Sequence, residues 1–179
     1  MHGIIFSELK KYVETKHSPA VWGALLKESG LGSKMYMPIQ TYPDAEVVAL
    51  VTTASKMTGV PVNAILEDFG GFILPDLIQM YQALIKPEWD ALNFIMHTEA
   101  TIHTVVRHRN PGALPPALKC VRVSPGEVVL HYNSSRKMCG VAKGIARGVA
   151  KHYDQSITVA ETTCMHRGDA GCLISIKRA

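Results

Sequence analysis

The stretch NPGALPPALKCVRVSPGEVVLHYNSSR, residues 110–136, is where the hydrophobic period of this 179-residue chain changes. Before it, apolar residues recur at helical spacing. Within it they alternate. Pro111, Pro115 and Pro116 fix their own backbone angles and restrict the residues before them, so residues 110–116 read as a rigid connector. Leu118 to Ser124 and Glu127 to Asn133 then read as two strands closed by Pro125-Gly126, a hairpin.

Upstream, Ile5, Leu9, Tyr12 and Val13 lie at helical spacing. Ser18-Pro19 and Gly30 frame a second helix, Pro43-Asp44 and Gly59 a third, and residues 61–69 form a fourth. Gly70-Gly71 and Pro75 predict a bent or broken helix next, with Phe72, Ile73 and Leu74 on it facing something. A long helix is predicted from Pro87 to about His108. Downstream, residues 136–153 return to helical period through Met138, Val141, Ile145 and Val149, and Ser156 to Thr162 and Cys172 to Lys177 read as two further strands. The predicted class is α+β: a mainly helical N-terminal part, then a small antiparallel sheet crossed by one helix, in a single domain over residues 1–179.

With 47% apolar and 19% charged residues the chain can bury a core, which excludes a disordered or collagenous protein. A net charge of +4 without any like-charge run is too diffuse for a nucleic-acid footprint. No apolar run reaches the roughly 18 residues of a membrane span, and Glu8, Lys10 and Lys11 cut short any signal-peptide core. The expectation is a cytoplasmic protein with no nucleic-acid partner and no membrane insertion. Eight His and four Cys stand out in so short a chain, and both residue types are soft or borderline metal ligands. In a reducing compartment such cysteines read as metal ligands or redox thiols rather than a disulfide framework.

On the predicted helix 87–108, Leu92, Ile95, Met96, Ile102 and Val106 form an apolar stripe, and His103 lies inside it. A core histidine bonded to a backbone carbonyl is the plain reading. A neutral imidazole on an apolar wall is also what axial ligation of haem iron requires. His97 and His108 fall elsewhere on the wheel. Tyr132, Ser134 and Arg136 alternate at the end of the second strand, so if the strand persists they share one face. A phenol, a hydroxyl and a guanidinium fork there suit one or two carboxylates, although a solvated strand end has the same pattern.

Tyr132-Asn133-Ser134-Ser135-Arg136 resembles the Tyr-x-Ser-x-Arg signature of the H-NOX (haem nitric oxide/oxygen binding) family, downstream of a helical histidine as in that family. Pro116 stands where the family has a proline packed against the porphyrin, and the Met-x-Gly-Ile opening and overall length agree. The resemblance implies haem b with His103 as iron ligand and Tyr132, Ser134 and Arg136 holding its propionates. Oxygen-holding members carry a distal tyrosine where this chain has Val141. The other matching distal positions are Ile5, Leu9, Ile73, Leu74, Leu77 and Ile145, all apolar. A pocket without a donor withholds about 1 to 3 kcal/mol of charge-assisted hydrogen bonding from dioxygen. The resemblance therefore implies binding of nitric oxide and carbon monoxide with little dioxygen. It further implies a sensor with no attached effector, regulating a histidine kinase or a cyclic-di-GMP-metabolising protein.

Gly140, Gly144 and Gly148 repeat every fourth residue, each at a cost of about 1 kcal/mol of helix stability, which suggests close approach of another helix or a flat ligand. Glu161-x-x-Cys164 has the gap of paired zinc ligands, and with Cys139 and Cys172 it makes a four-ligand site. His166 competes with Glu161 for the fourth position. Some bacterial H-NOX proteins bear similar cysteines around zinc, with a histidine where this chain has Glu161. Three buried thiols filling a core is the competing reading, and oxidant sensing by the thiolates is a further one. Cys120 sits apart as a core residue. No nucleophile elbow, carboxylate pair or phosphate loop supports catalysis. The rival to the haem sensor is a zinc-stapled, small-ligand-binding regulatory domain without haem, in which His103 would be dispensable.

Overall fold

Helix boundaries follow cap chemistry. The computed structural model describes residues 1–110 and 112–179, so the expectation at Pro111 lies outside the described residues. α1 (Gly3–Lys16) starts where the His2 ring accepts the Ile4 N–H at 3.4 Å. α2 (Pro19–Glu28) has its proline at the first position, where the missing N–H costs nothing. α3 (Asp44–Thr58) ends on Gly59 with φ of 72°, a left-handed cap.

α4 (Val62–Tyr81) runs unbroken through Gly70, Gly71 and Pro75, so of the expected bent or broken helix the break is absent. The glycines mark a contact rather than a break. A Cβ on Gly70 would lie 2.3 Å from the Val141 carbonyl oxygen, on the backbone of α7 (Cys139–His152). Reciprocally, a Cβ on Gly144 would lie 2.0 Å from the Glu67 carbonyl oxygen, and Cβ atoms on Gly140 and Gly148 would press on Leu66 and Leu74. The spacing-four glycines therefore serve helix-on-helix packing. Burial of Phe69, Ile73 and Leu74 holds α4 helical past Pro75.

The predicted helix 87–108 is also corrected. It begins later, as α5 (Ala91–His97), because Asp90 caps it by accepting the Asn93 N–H at 2.8 Å. It then widens into a π turn over Glu99–His103, where the His103 N–H reaches back five residues to the Thr98 carbonyl at 3.0 Å, and continues as α6 (Thr104–Arg109).

β1 (Ala117–Ser124), β2 (Glu127–Asn133), β3 (Ile157–Thr163) and β4 (Cys172–Arg178) make one antiparallel sheet in the order β1-β2-β4-β3. Val128 pairs with Ile176, Leu130 with Ile174 and Tyr132 with Cys172, so these six buried side chains share the inner face. They pack with Leu92, Ile95, Val149 and Ala150 of α5 and α7 into one core. A second core holds Phe6, Leu9, Trp22, Leu50 and Phe69 from α1 to α4. The α4–α7 contact joins the two. Among the described residues no helix is long and apolar enough to cross a membrane.

Candidate functional site

A cavity lies where the two cores meet. Ile5, Ile73, Leu74, Leu77, Val141 and Ile145 line it from α1, α4 and α7, while Ile102, His103, Pro116 and Leu118 line it from the π turn, the connector and β1. Of the expected apolar wall, Leu9 does not line the cavity; it is buried in the N-terminal core instead. Tyr81 of α4 does line it, and neither its spacing nor its neighbours had singled it out. Burial pushes the Tyr81 phenol upward, opposed by the charge of Arg109.

His103 is the imidazole of this wall. Its Nδ1 lies 2.8 Å from Glu99 Oε2. Glu99 is held charged: burial acts to raise it, but the hydrogen bonds and charges of His103 and Arg107 hold its carboxyl below the usual range. A carboxylate can only accept, so Nδ1 carries the proton and Nε2 keeps its lone pair. Burial is also the largest influence on the His103 ring, pulling it below its ordinary value against Glu99 and the Pro116 carbonyl, with Arg107 adding to the fall. The ring is neutral at pH 7. That protonation state and position fit an iron ligand.

Polar groups gather at one end. The expectation that Tyr132, Ser134 and Arg136 project from one strand face is corrected, because β2 ends at Asn133 and the chain turns, with Lys137 at φ 52°. The turn nevertheless brings Arg136 back to the cavity, where Tyr132 also lies; Ser134 is buried outside the lining, its Oγ accepting the Arg136 N–H at 3.3 Å. Burial raises the Tyr132 phenol, eased by Ser134 and Arg136. Arg136 donates to Asp44 Oδ2 at 3.2 Å and to the Leu114 carbonyl. Asp44 Oδ1 takes the N-terminal ammonium at 2.6 Å. Two cations share one carboxylate, leaving one positive charge and several donors beside an apolar slot. A flat apolar group with carboxylates on one edge and a metal wanting a neutral imidazole fits that donor set. The Met1 and Asp44 roles escaped sequence reading, since the pair spans 43 residues and carries no motif.

The cysteines form a separate cluster. Cys139, Glu161, Cys164 and Cys172 present ligand atoms all within 4.8 Å of one another, and the two sulfurs of Cys139 and Cys164 are 3.9 Å apart. The structure brings Glu161 into this group and not His166, whose exposed ring bonds the Lys137 carbonyl at 2.6 Å. Glu161 Oε1 is buried with no hydrogen-bond partner. Burial, then the neighbouring Cys172 and Glu161, push the Cys139 thiol well above its ordinary range. Three thiols crowded around an orphaned carboxylate oxygen suit a divalent cation. Cys120 stands apart, half-buried, its thiol pushed up to about 11 by burial.

Residues 2–161 match the family model described as Haem-NO-binding. The chain is 24% identical over 166 residues, 89% of its length, to the soluble guanylate cyclase gcy-35 of Caenorhabditis elegans, and it spans about a quarter of that relative. An H-NOX protein from Shewanella oneidensis, solved in the Fe(II)NO ligation state, superposes with a TM-score of 0.93 at 25% identity, covering 100% of this chain and 99% of the other. An Fe(II) unliganded H-NOX protein from K. algicida shares the fold with a TM-score of 0.89 at 22% identity. These neighbours share the overall fold, and the chain belongs to the haem-NO-binding (H-NOX) family of haem-based gas sensors.

Proposed function

We propose that this chain senses nitric oxide at ferrous haem held in the cavity by His103. The observation that carries the reading is His103 itself: neutral, in the wall of an apolar cavity, with Nδ1 engaged by Glu99. Ferrous haem supplies the position at which a diatomic gas binds. Arg136 and Tyr132 hold its carboxylates, with Asp44 and the N-terminal ammonium orienting the guanidinium. Carbon monoxide binds as well. Dioxygen binds poorly, because at the positions matching the family's distal wall Ile5, Ile73, Leu74, Leu77, Val141 and Ile145 give no hydrogen-bond donor, which leaves the Tyr81 phenol as the donor to be tested. If His103 were released from bound iron, the segment 99–109 would be the part free to move, and Glu99, which accepts the Leu118 N–H at 3.3 Å, would couple it to β1 and to Pro116 beside it. A separate partner, a histidine kinase or a cyclic-di-GMP-metabolising protein, reads that change in the cytoplasm.

One zinc ion bound by Cys139, Glu161, Cys164 and Cys172 ties α7 to β3 and β4, with Glu161 rather than His166 as fourth ligand; the orphaned Glu161 oxygen supports this reading. If the cluster also senses redox state, these three thiolates would be the groups that react. The visible spectrum of reduced protein before and after air, carbon monoxide and nitric oxide tests the gas reading. Shifts with the last two and none with air are expected. No Soret band after haem addition would instead favour a haem-free small-ligand domain, and a stable oxy spectrum would point to the Tyr81 phenol as a donor, checked by Tyr81→Phe.

A further inference from the structure

Among the described residues Glu99 is the one charged group that hydrogen-bonds the His103 imidazole, and its connections extend beyond it. Its Oε2 takes the His103 Nδ1–H at 2.8 Å and the Leu118 N–H at 3.3 Å, while its Oε1 takes the Arg107 guanidinium. Three donors from the π turn, β1 and α6 thus converge on one carboxylate, which leaves it little freedom to rotate away. The His103 side chain is only 15% exposed, so water competes weakly for the shared proton. The π turn places Glu99 there, since the ring lies four residues on while its own N–H reaches five residues back.

We infer that Glu99 is a positioning residue that makes His103 an electron-rich, oriented iron ligand, and that Arg107 opposes it by drawing on the same carboxylate. The inference rests on the haem reading above. A carboxylate accepting from Nδ1–H fixes the tautomer and raises the basicity of Nε2 more than a neutral acceptor does. Arg107 lowers that effect by taking part of the negative charge. Ligand strength is therefore set by a balance between two residues that never touch the iron. The balance bears on how readily His103 lets go, which is the event that signalling uses.

The prediction has two signs. In reduced, gas-free protein, Glu99→Gln keeps an oxygen acceptor of similar shape but removes the charge. Its iron–histidine stretching band in resonance Raman should move to lower frequency, and its ferric/ferrous midpoint potential should rise. Arg107→Gln, a change at a partly exposed side chain, should move both quantities the other way. A purely structural role for Glu99 would not produce opposite shifts. Both variants binding haem with the wild-type band and potential would overturn the role of Glu99 while leaving the haem reading intact. A wild-type protein showing no iron–histidine band after haem addition would overturn both.

Discussion

Met1, Asp44 and Arg136 form the least expected set of contacts. Burial alone would raise the Asp44 carboxyl, but the N-terminal ammonium and Arg136 hold it below its ordinary 3.8. A depressed folded-state value means that the stabilisation is present above pH 4 and is lost as pH falls through the folded value. Asp44→Asn should therefore unfold at lower denaturant than wild type at pH 7, and the difference should shrink toward pH 3; urea titrations at the two pH values check this. A constant difference would mean that the charge contributes nothing. The sequence showed Arg136 through its motif, and His103 through its place in an apolar stripe. It could not show Asp44, Glu99 or Tyr81, whose roles come from chain segments brought together by the fold.

The α4–α7 contact is where an element depends on single atoms. Gly144→Ala puts a methyl 2.0 Å from the Glu67 carbonyl oxygen, which the two backbones can relieve only by separating. Overpacking of this kind costs about 1 to 3 kcal/mol or more. Gly23→Ala in α2 meets nothing within 4 Å and should instead stabilise by up to about 1 kcal/mol through helix propensity. Equilibrium denaturation of the two variants should give opposite signs, and equal effects would refute the packing account. Strand boundaries were readable because alternation reports directly which side chains face a core, as with Val128, Leu130 and Tyr132. Gly70, Gly71 and Pro75 misled because the same residues break exposed helices and permit close-packed ones. The π turn before His103 was invisible for a different reason: it covers five residues of which only Ile102 is buried, too few to show a change of period.

At the scale of the molecule, two cores meet along α4 and α7; the cavity lies where they meet, and the cysteine cluster lies in the sheet-side core between α7, β3 and β4. If zinc ties α7 to the sheet, purified protein should carry one zinc per chain, measurable by elemental analysis. Removing it with a chelator should lower the melting temperature, and Cys172→Ser should reproduce the loss. Unchanged melting would leave the cluster as three packed thiols. The α+β class and the four strands were legible from period changes alone, and all four donors of the cluster were legible as candidates, Glu161 with His166 as its rival. The choice of Glu161 over His166 needed the register of β3 against β4, because Glu161 opposes Ile174 within the sheet while His166 lies beyond it. The central claim, that haem sits in this cavity on His103, is tested most directly by titrating haem into reduced wild-type and His103→Gly protein and following the Soret band. The wild type should saturate at one haem, and His103→Gly should do so only with imidazole added. A His103→Gly protein that takes up one haem with the wild-type spectrum and no imidazole would contradict it.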